Sequence, residues 1–523
     1  MLQTPDQEPL DTLGTSPPCW SPALTQKLAQ DILPRYLSQC RWFGGKARAL
    51  QKVEIIQDTL FPGTSVHILG VEITFQEGPP EHYLMPLCVR SPGEPREETT
   101  SSPHRLLGQW SDGTRLEDAL HTPEFQAALF RGLIGHTPLA APLSLTLESP
   151  VQAPTADLTL AALQARVLSG EQSNTSLSYA DRWLIKFFRK FEFGIHPEVE
   201  LTQHLTRHHF QVPPFLSALN LQAQGQSGVA AMLTHYTPHE NDGWTFTLKA
   251  VRQVLDQVRQ TRQTHSAERE AAVIGRSSYP SRAAQLGQLT ARMHIALAAD
   301  SLHADFKPQP FTHHDGQILS QDMQAKATRV LQELHQQYHQ LPESAQALAR
   351  EILDGQDHLL HAYEKLQQAD IQCSRIRVHG DFHLGQTLNT GQDFVIIDFE
   401  GEPRLPLHER RLHRPALRDV AGMVRSFEYA ASAALHEAPA EEHPLLAPWA
   451  QAWADTTVQA YLHAYFSTAH GQSFLPQTPA STQLLLDLHI LDKALYEIGY
   501  ELSYRPHLVP IPLRAVARLL KTI

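Results

Sequence analysis

The stretch Val378–Pro403, VHGDFHLGQTLNTGQDFVIIDFEGEP, decides how the chain is read. Asn389-Thr390-Gly391-Gln392 is a turn signal between two short apolar runs, so the segment is expected to fold back as a β-hairpin about Gly391. Folding there lays Gln386 and Thr387 beside Val395 and Ile396. The start of the first strand and the end of the second then share one open end, which brings Gln386 and Asp398 together. Asp381 lies in the loop that feeds this end. Two oxygen-bearing side chains at one point, with a third carboxylate nearby, suit a hard cation such as Mg²⁺. That ion takes one or two protein carboxylates and completes its shell with phosphate oxygens and water. The competing expectation is a surface hairpin with incidental acids.

The bulk numbers narrow the class. The 523 residues are a soft prior for two to four domains. Lys and Arg number 43 against 55 Asp and Glu, a formal charge of −12 that argues against nucleic acid as a partner. The 30 His are scattered, with no HExxH and no zinc-type spacing. Cys19, Cys40, Cys88 and Cys373 form no CxxC and read as reduced thiols of a cytoplasmic protein. The acidic, Pro-rich start is unlike a signal peptide, and no apolar run approaches the ~18–20 residues that span a bilayer, so no membrane is expected.

Along the chain, residues 1–20 show no period and read as disordered. Residues 21–40 read as a helix that Pro34 kinks or splits, and RWFGGKAR (Arg41–Arg48) ends it. Strand-like runs KVEIIQDTL, SVHILGVEITF and HYLMPLCVR follow, up to a charged, Pro- and Ser-rich linker after Arg90. We expect three parts: an α+β unit over 1–100, a β-rich lobe over 101–235 and a mostly helical lobe over 236–523. No internal repeat is present.

In the β-rich lobe, two strands flank the loop Gly170–Ser176, and a third carries Lys186 among Leu184, Ile185, Phe187 and Phe188. A buried ammonium without a partner costs several kcal/mol. Lys186 is therefore expected to pair with an early-turn carboxylate of the next helix, with Glu200 preferred over Glu198, or else to snorkel from an edge strand. Ser173, Asn174 and Thr175 offer hydroxyl and amide groups, beside backbone N–H groups, to cap phosphates, although such loops are often plain turns.

The Asp–x4–Gln spacing and the later Asp resemble the catalytic segment of protein-kinase-like phosphotransferases. Taken together, VHGDFHLGQ, VIIDFEGEP, LRDVAGMVRSFEYAA, DKALYEIGYE, QSNTS and RWFGGKAR resemble the bacterial maltokinases, of the aminoglycoside-phosphotransferase-like branch of that fold, from Arg41 to about Pro506. The resemblance implies a bilobal α+β fold with an N-terminal cap, in which RWFGGKAR is structural. It implies ATP and Mg²⁺, transfer to the anomeric hydroxyl of maltose, and a product, maltose 1-phosphate, that feeds α-glucan and glycogen synthesis. Asp381 would be the catalytic base, Gln386 and Asp398 the metal ligands, and Lys186 the phosphate-binding lysine. The single Gly of GEQSNTS departs from the glycine-rich loop of kinases. The chain order would place adenine at backbone near Thr234–Tyr236.

The sugar site implied by the resemblance includes DKALYEIGYEL. Lys493 and Glu497 are four apart, as are Tyr496 and Tyr500, so they line adjacent stripes of one helix. Aromatic rings with charged hydrogen-bonding groups suit a sugar, although an ordinary helix would bury the rings and solvate the charges. His383 either contacts substrate or shapes the loop, and His379 is expected to be buried and hydrogen-bonded. Arg418, Asp419 and Arg425 read as an Asp–Arg network. The alternatives to a maltose kinase are a kinase of another sugar, especially glucosamine, and a catalytically silent nucleotide-binding regulator. Association with a trehalose-converting enzyme is a further expectation from the resemblance.

Overall fold

The computed structural model describes residues 20–93, 105–148, 163–168, 173–262, 265–275, 277–299 and 304–521. The expectations for residues 1–19, most of the linker after Arg90 and the tip of the Gly170–Ser176 loop lie outside them. The described chain divides into two compact units, residues 1–203 with 213–238, and residues 204–212 with 239–523.

The first unit opens with α1 (Pro22–Lys27) and α2 (Leu33–Gln39), joined by a π-helical turn over Leu28–Ile32. Pro34 has no N–H to donate back along the helix, and the wider turn ahead of it absorbs the register change without a break. Leu28, Leu33 and Leu37 from this run are fully buried, each contributing about 1.5–3 kcal/mol. They pack on β1 (Leu50–Leu60), β2 (His67–Phe75) and β3 (Glu81–Arg90), the first three strands of an antiparallel sheet. The sheet continues past residue 100, with β4 (Leu106–Gln109) at its edge and β5 (Arg115–Asp118) next to β3. In the RWFGGKAR segment Phe43 is buried, and a Cβ on Gly45 would sit 2.5–2.6 Å from the rings of Phe43 and Phe75. Only glycine fits there, so this motif is packing.

After α3 (Pro123–Leu133) come β6 (Leu143–Leu147), β7 (Arg166–Val167), β8 (Thr175–Tyr179), β9 (Trp183–Phe187), β10 (Lys190–Phe191), α4 (Pro197–Arg207), β11 (Phe215–Ala223) and β12 (Gln226–His235). The second sheet has the order β6-β11-β12-β9-β8-β7, while β10 pairs with β3 of the first. β11 was not foreseen, because Ser217, Ala218 and Asn220 dilute its apolar run.

The second unit contains β13 (Asn241–Asp242), α5 (Gly243–Thr261), α6 (Ala267–Val273), α7 (Tyr279–Leu297), β14 (Gln309–Pro310), α8 (His313–Gln337), α9 (Glu343–Asp354), α10 (Gln356–Gln368) and β15 (Ser374–Arg375). The hairpin follows as β16 (Thr387–Asn389) and β17 (Phe394–Ile396). Then come α11 (Leu407–Arg410), α12 (Leu417–His436), α13 (His443–Thr468), α14 (Pro479–Tyr504) and α15 (Pro510–Leu519). Asp242 caps α5 through a hydrogen bond from Thr245 N–H, and Thr312 with Asp315 forms a capping box on α8. No helix among the described residues is long and apolar enough to cross a membrane.

Candidate active site

The hairpin pairs Thr387 with Ile396 and Asn389 with Phe394, and Gly391 takes the left-handed conformation at its tip (φ +89°). At the open end Ile397 N–H donates to Gln386 O (3.0 Å), and Gln386 Nε2 donates to Asp398 Oδ2 (2.8 Å). Asp398 has φ +66°, left-handed for a non-glycine residue. Such a conformation costs on the order of 1 kcal/mol, and strain of this kind gathers at functional sites. Around it, His379 Nε2 contacts Ile397 O (2.9 Å), and its ring lies 4.8 Å from that of the buried Phe399. His379 is buried and shapes the loop.

Asp381 Oδ1 accepts a hydrogen bond from Lys493 Nζ of α14 (3.1 Å). Burial alone would raise the Asp381 carboxyl, but the Lys493 ammonium and His383 outweigh it and hold it at about 2. Burial works against the charge on Lys493 too, yet Asp381 pulls its pKa upward. His383 Nδ1 accepts Gly385 N–H (3.0 Å) and its Nε2 stands 4.0 Å from Asp381 Oδ2. It therefore holds the loop while facing the carboxylate, and burial lowers its own pKa.

One stripe of α12 docks this loop. Asp419 accepts His379 N–H (2.8 Å) and Gly380 N–H (2.9 Å), and Ser426 Oγ accepts Leu384 N–H (3.1 Å). Between them, a Cβ on Gly422 would lie 2.4 Å from Phe382 O, so helix and loop meet at backbone contact. His294 Nε2 lies 3.0 Å from Asp419 Oδ2 and its Nδ1 2.9 Å from Tyr465 Oη. Burial raises the Asp419 carboxyl, and the His294 hydrogen bond and charge more than offset this, so its pKa is lowered. The expected Asp–Arg network is corrected. Arg418 pairs with Glu402 (3.1 Å), Arg425 pairs with Glu428 and with Glu497 (2.6 Å), and Asp419 serves the loop.

A cavity of about 300 Å³ opens beside Asp381 within this unit. Along α14 it is lined by Lys493, Tyr496, Gly499 and Ser503. These ten residues of rise make a wall ~15 Å long. Lys326, Arg329, Val330 and Glu333 of α8 form the facing stripe. Of the expected sugar-site residues, Lys493 and Tyr496 line the cavity, whereas Glu497, Tyr500 and His383 are not among its lining residues. Glu497 is turned to the buried Arg425, because an (i, i+4) step drifts about 40° round the helix. Tyr500 instead stacks between Tyr496 (6.5 Å) and Tyr504 (4.9 Å). Arg404, Glu402 and Arg418, which the sequence reading did not assign to the sugar site, line the cavity.

In the first unit, Lys186 lies on β9 between β12 and β8, paired with Met232 and Ser176. It is central rather than at an edge, and it is buried. Its Nζ meets Glu198 Oε2 at 2.8 Å, which corrects the choice of Glu200. With Pro197 as the first residue of α4, Glu198 comes in the first turn facing the sheet, and Glu200, two residues on, is about 200° round the helix. Thr175 is the buried first residue of β8, and its hydroxyl accepts a bond from Arg189 Nε (2.9 Å), itself paired with Asp118 (2.5 Å). That bond takes one acceptor position of the hydroxyl and ties Thr175 to the buried Arg189–Asp118 pair. Asn174 is buried and its Nδ2 donates to Ser173 Oγ (3.1 Å), while Ser173 is exposed. The N–H groups of His235 and Tyr236 go to Pro214 O and Arg182 O, so neither is available to adenine.

A carboxylate and an amide side by side at a strained strand exit form a donor set that fits Mg²⁺, which asks for few protein ligands.

Residues 36–121 match the maltokinase N-terminal cap domain family. The glucosamine kinase of Streptacidiphilus jiangxiensis is 28% identical over 357 residues, 65% of this chain and 70% of that protein. The glucosamine kinase of Mycolicibacterium smegmatis is 26% identical over 369 residues, 68% and 79% of the two chains. Among solved structures, a glucosamine kinase in complex with glucosamine, ADP and inorganic phosphate superposes with a TM-score of 0.61 at 20% identity. It covers 96% of this chain and 99% of its own. A second crystal form of glucosamine kinase gives 0.63 at 21%, covering 96% and 100%.

Proposed function

We propose that this chain, whose residues 36–121 match the maltokinase N-terminal cap and whose α+β fold is shared with glucosamine kinase, is an ATP-dependent sugar kinase of the protein-kinase-like, aminoglycoside-phosphotransferase-like kind that converts maltose to maltose 1-phosphate. The product is a glycosyl phosphate suited to α-glucan synthesis. The observation that carries the reading is the position of Asp381, at the head of a two-helix groove and on the loop that leads to Gln386 and Asp398.

Asp381 orients the anomeric hydroxyl and takes its proton as the phosphoryl group transfers. Lys493 keeps that carboxylate ionised and aimed. Lys186, steadied by Glu198, serves the nucleotide phosphates. Gln386 and Asp398 hold Mg²⁺, whose role when bound is to neutralise charge on the phosphates.

Glucosamine is the second reading, favoured by the names of the relatives. One feature of the groove favours maltose. One helical turn, ~5.4 Å, is about the length of a pyranose unit, so a ~15 Å wall is longer than a monosaccharide needs. Its lining carries Arg329 and Arg404 but also Glu333 and Asp492, none of them ion-paired among the described residues, so charge does not choose between the two sugars. Purified protein with ATP and Mg²⁺ should release ADP on maltose and give an anomeric phosphate by ³¹P NMR. Turnover of glucosamine without turnover of maltose would establish the second reading. An Asp381→Ala variant retaining full function in cells would instead point to a non-catalytic regulator.

A further inference from the structure

The α14 wall of the groove between α8 and α14 is long for a disaccharide. It spans nearly three pyranose lengths, from Lys493 to Ser503. At the outer end, beside the cavity and outside its lining, the helix carries Tyr500 and Tyr504, each ring packed against the one before it from Tyr496 onward. Tyr504 is 59% exposed, the most exposed of the large hydrophobic side chains among the described residues. Arg404, on the loop leaving the hairpin, places its guanidinium 5.7, 5.6 and 5.4 Å from the ring centroids of Tyr496, Tyr500 and Tyr504. No hydrogen-bond acceptor or carboxylate meets that guanidinium among the described residues, so its donors remain open to hydroxyl groups. An exposed aromatic ring beside a guanidinium with open donors offers both contacts a sugar makes, apolar C–H face on ring and hydroxyl on N–H.

We propose that Arg404 and Tyr504 form an outer subsite, and that the acceptors include linear α-glucan oligosaccharides of three or more units. The inference rests on the reading of Asp381 as the reducing-end side of the groove.

The test uses the full chain as wild type and as Tyr504→Ala, a surface change that leaves the core untouched, with Arg404→Ala as a second variant. Binding of maltose and maltotriose is measured by calorimetry without ATP, and turnover by ADP release. Wild type should bind maltotriose about fivefold more tightly than maltose and phosphorylate both. Tyr504→Ala should erase the difference while changing maltose affinity less than about twofold. Arg404→Ala should weaken maltotriose more than maltose. Equal affinities in wild type, equal losses for both sugars in the variants, or no binding of maltotriose would overturn the proposal. Tighter binding of maltotriose that depends on Tyr504, with neither sugar phosphorylated, would uphold the subsite and sink the reaction assigned above.

Discussion

Lys493 donates to Asp381 across 112 residues of sequence, and this bond sets the charge state of the carboxylate at the head of the groove. With the ammonium in place the Asp381 carboxyl is held at about 2, so it stays ionised at every pH where the protein would be assayed. Lys493→Met removes the largest charge opposing burial and leaves only His383 and His379 against it, so the carboxyl rises by ~1–3 pH units. The acid limb of the rate profile, measured from pH 4 to 9, should move upward in the variant and kcat should fall. A variant profile that overlays the wild-type one after scaling would contradict the assignment. The sign for stability follows. A depressed carboxyl stabilises the fold above the unfolded value near 4, by ~2 kcal/mol here, and that contribution is lost as the pH falls toward 2.

Asp398 permits an unusually clean substitution. Its φ of +66° is one that Asn also tolerates, so Asp398→Asn removes charge without backbone strain. The variant should melt within about 2 °C of wild type while losing roughly 10²-fold or more in kcat. The Mg²⁺ concentration for half-maximal rate should rise. Near-normal turnover at low Mg²⁺ would show that Asp398 does not hold the ion.

The hairpin was legible because a turn signal, an apolar strand and the residues at its mouth all lie within 26 residues, where local rules apply. Lys186 was legible because a charge inside a run of Leu, Ile and Phe has to be answered. What answers it was not legible. Choosing Glu198 over Glu200 needs the phase of a helix, and a boundary uncertain by a residue turns the face by 100°. The α12 stripe was missed for a related reason. Asp419, Gly422 and Ser426 sit among Arg418, Arg425 and Glu428, and nothing local says that this one acid and the two small residues, rather than the other charges, meet the loop. Glu497 went astray because its partner Arg425 lies 72 residues away.

Asp419 is the strongest structural test of that stripe. Asp419→Ala leaves the N–H groups of His379 and Gly380 without an acceptor in a buried site and strips His294 of its carboxylate. The cost is about 3 kcal/mol, or roughly 6–12 °C in melting temperature for a unit of this size. Ser426→Ala orphans only Leu384 N–H and should cost about a third as much. Thermal melts of the two variants rank them directly, and equal losses would show that the stripe does not anchor the loop in this way.

Glu198 and Glu200 separate the paired carboxylate from its neighbour in sequence. Lys186 and Glu198 are both buried, so Glu198→Gln leaves the ammonium with a weaker, neutral acceptor in a low-dielectric site. The aim of Lys186 loosens. If Lys186 serves the nucleotide phosphates, kcat/KM for ATP should drop by about 10²-fold, with KM for the sugar little changed. Glu200→Gln, on the opposite side of α4, should cost less than about threefold. Steady-state kinetics with ATP varied at saturating sugar distinguish the two. A larger loss from Glu200 than from Glu198 would mean that the 2.8 Å pair is structural and that the nucleotide is held by another face of the helix.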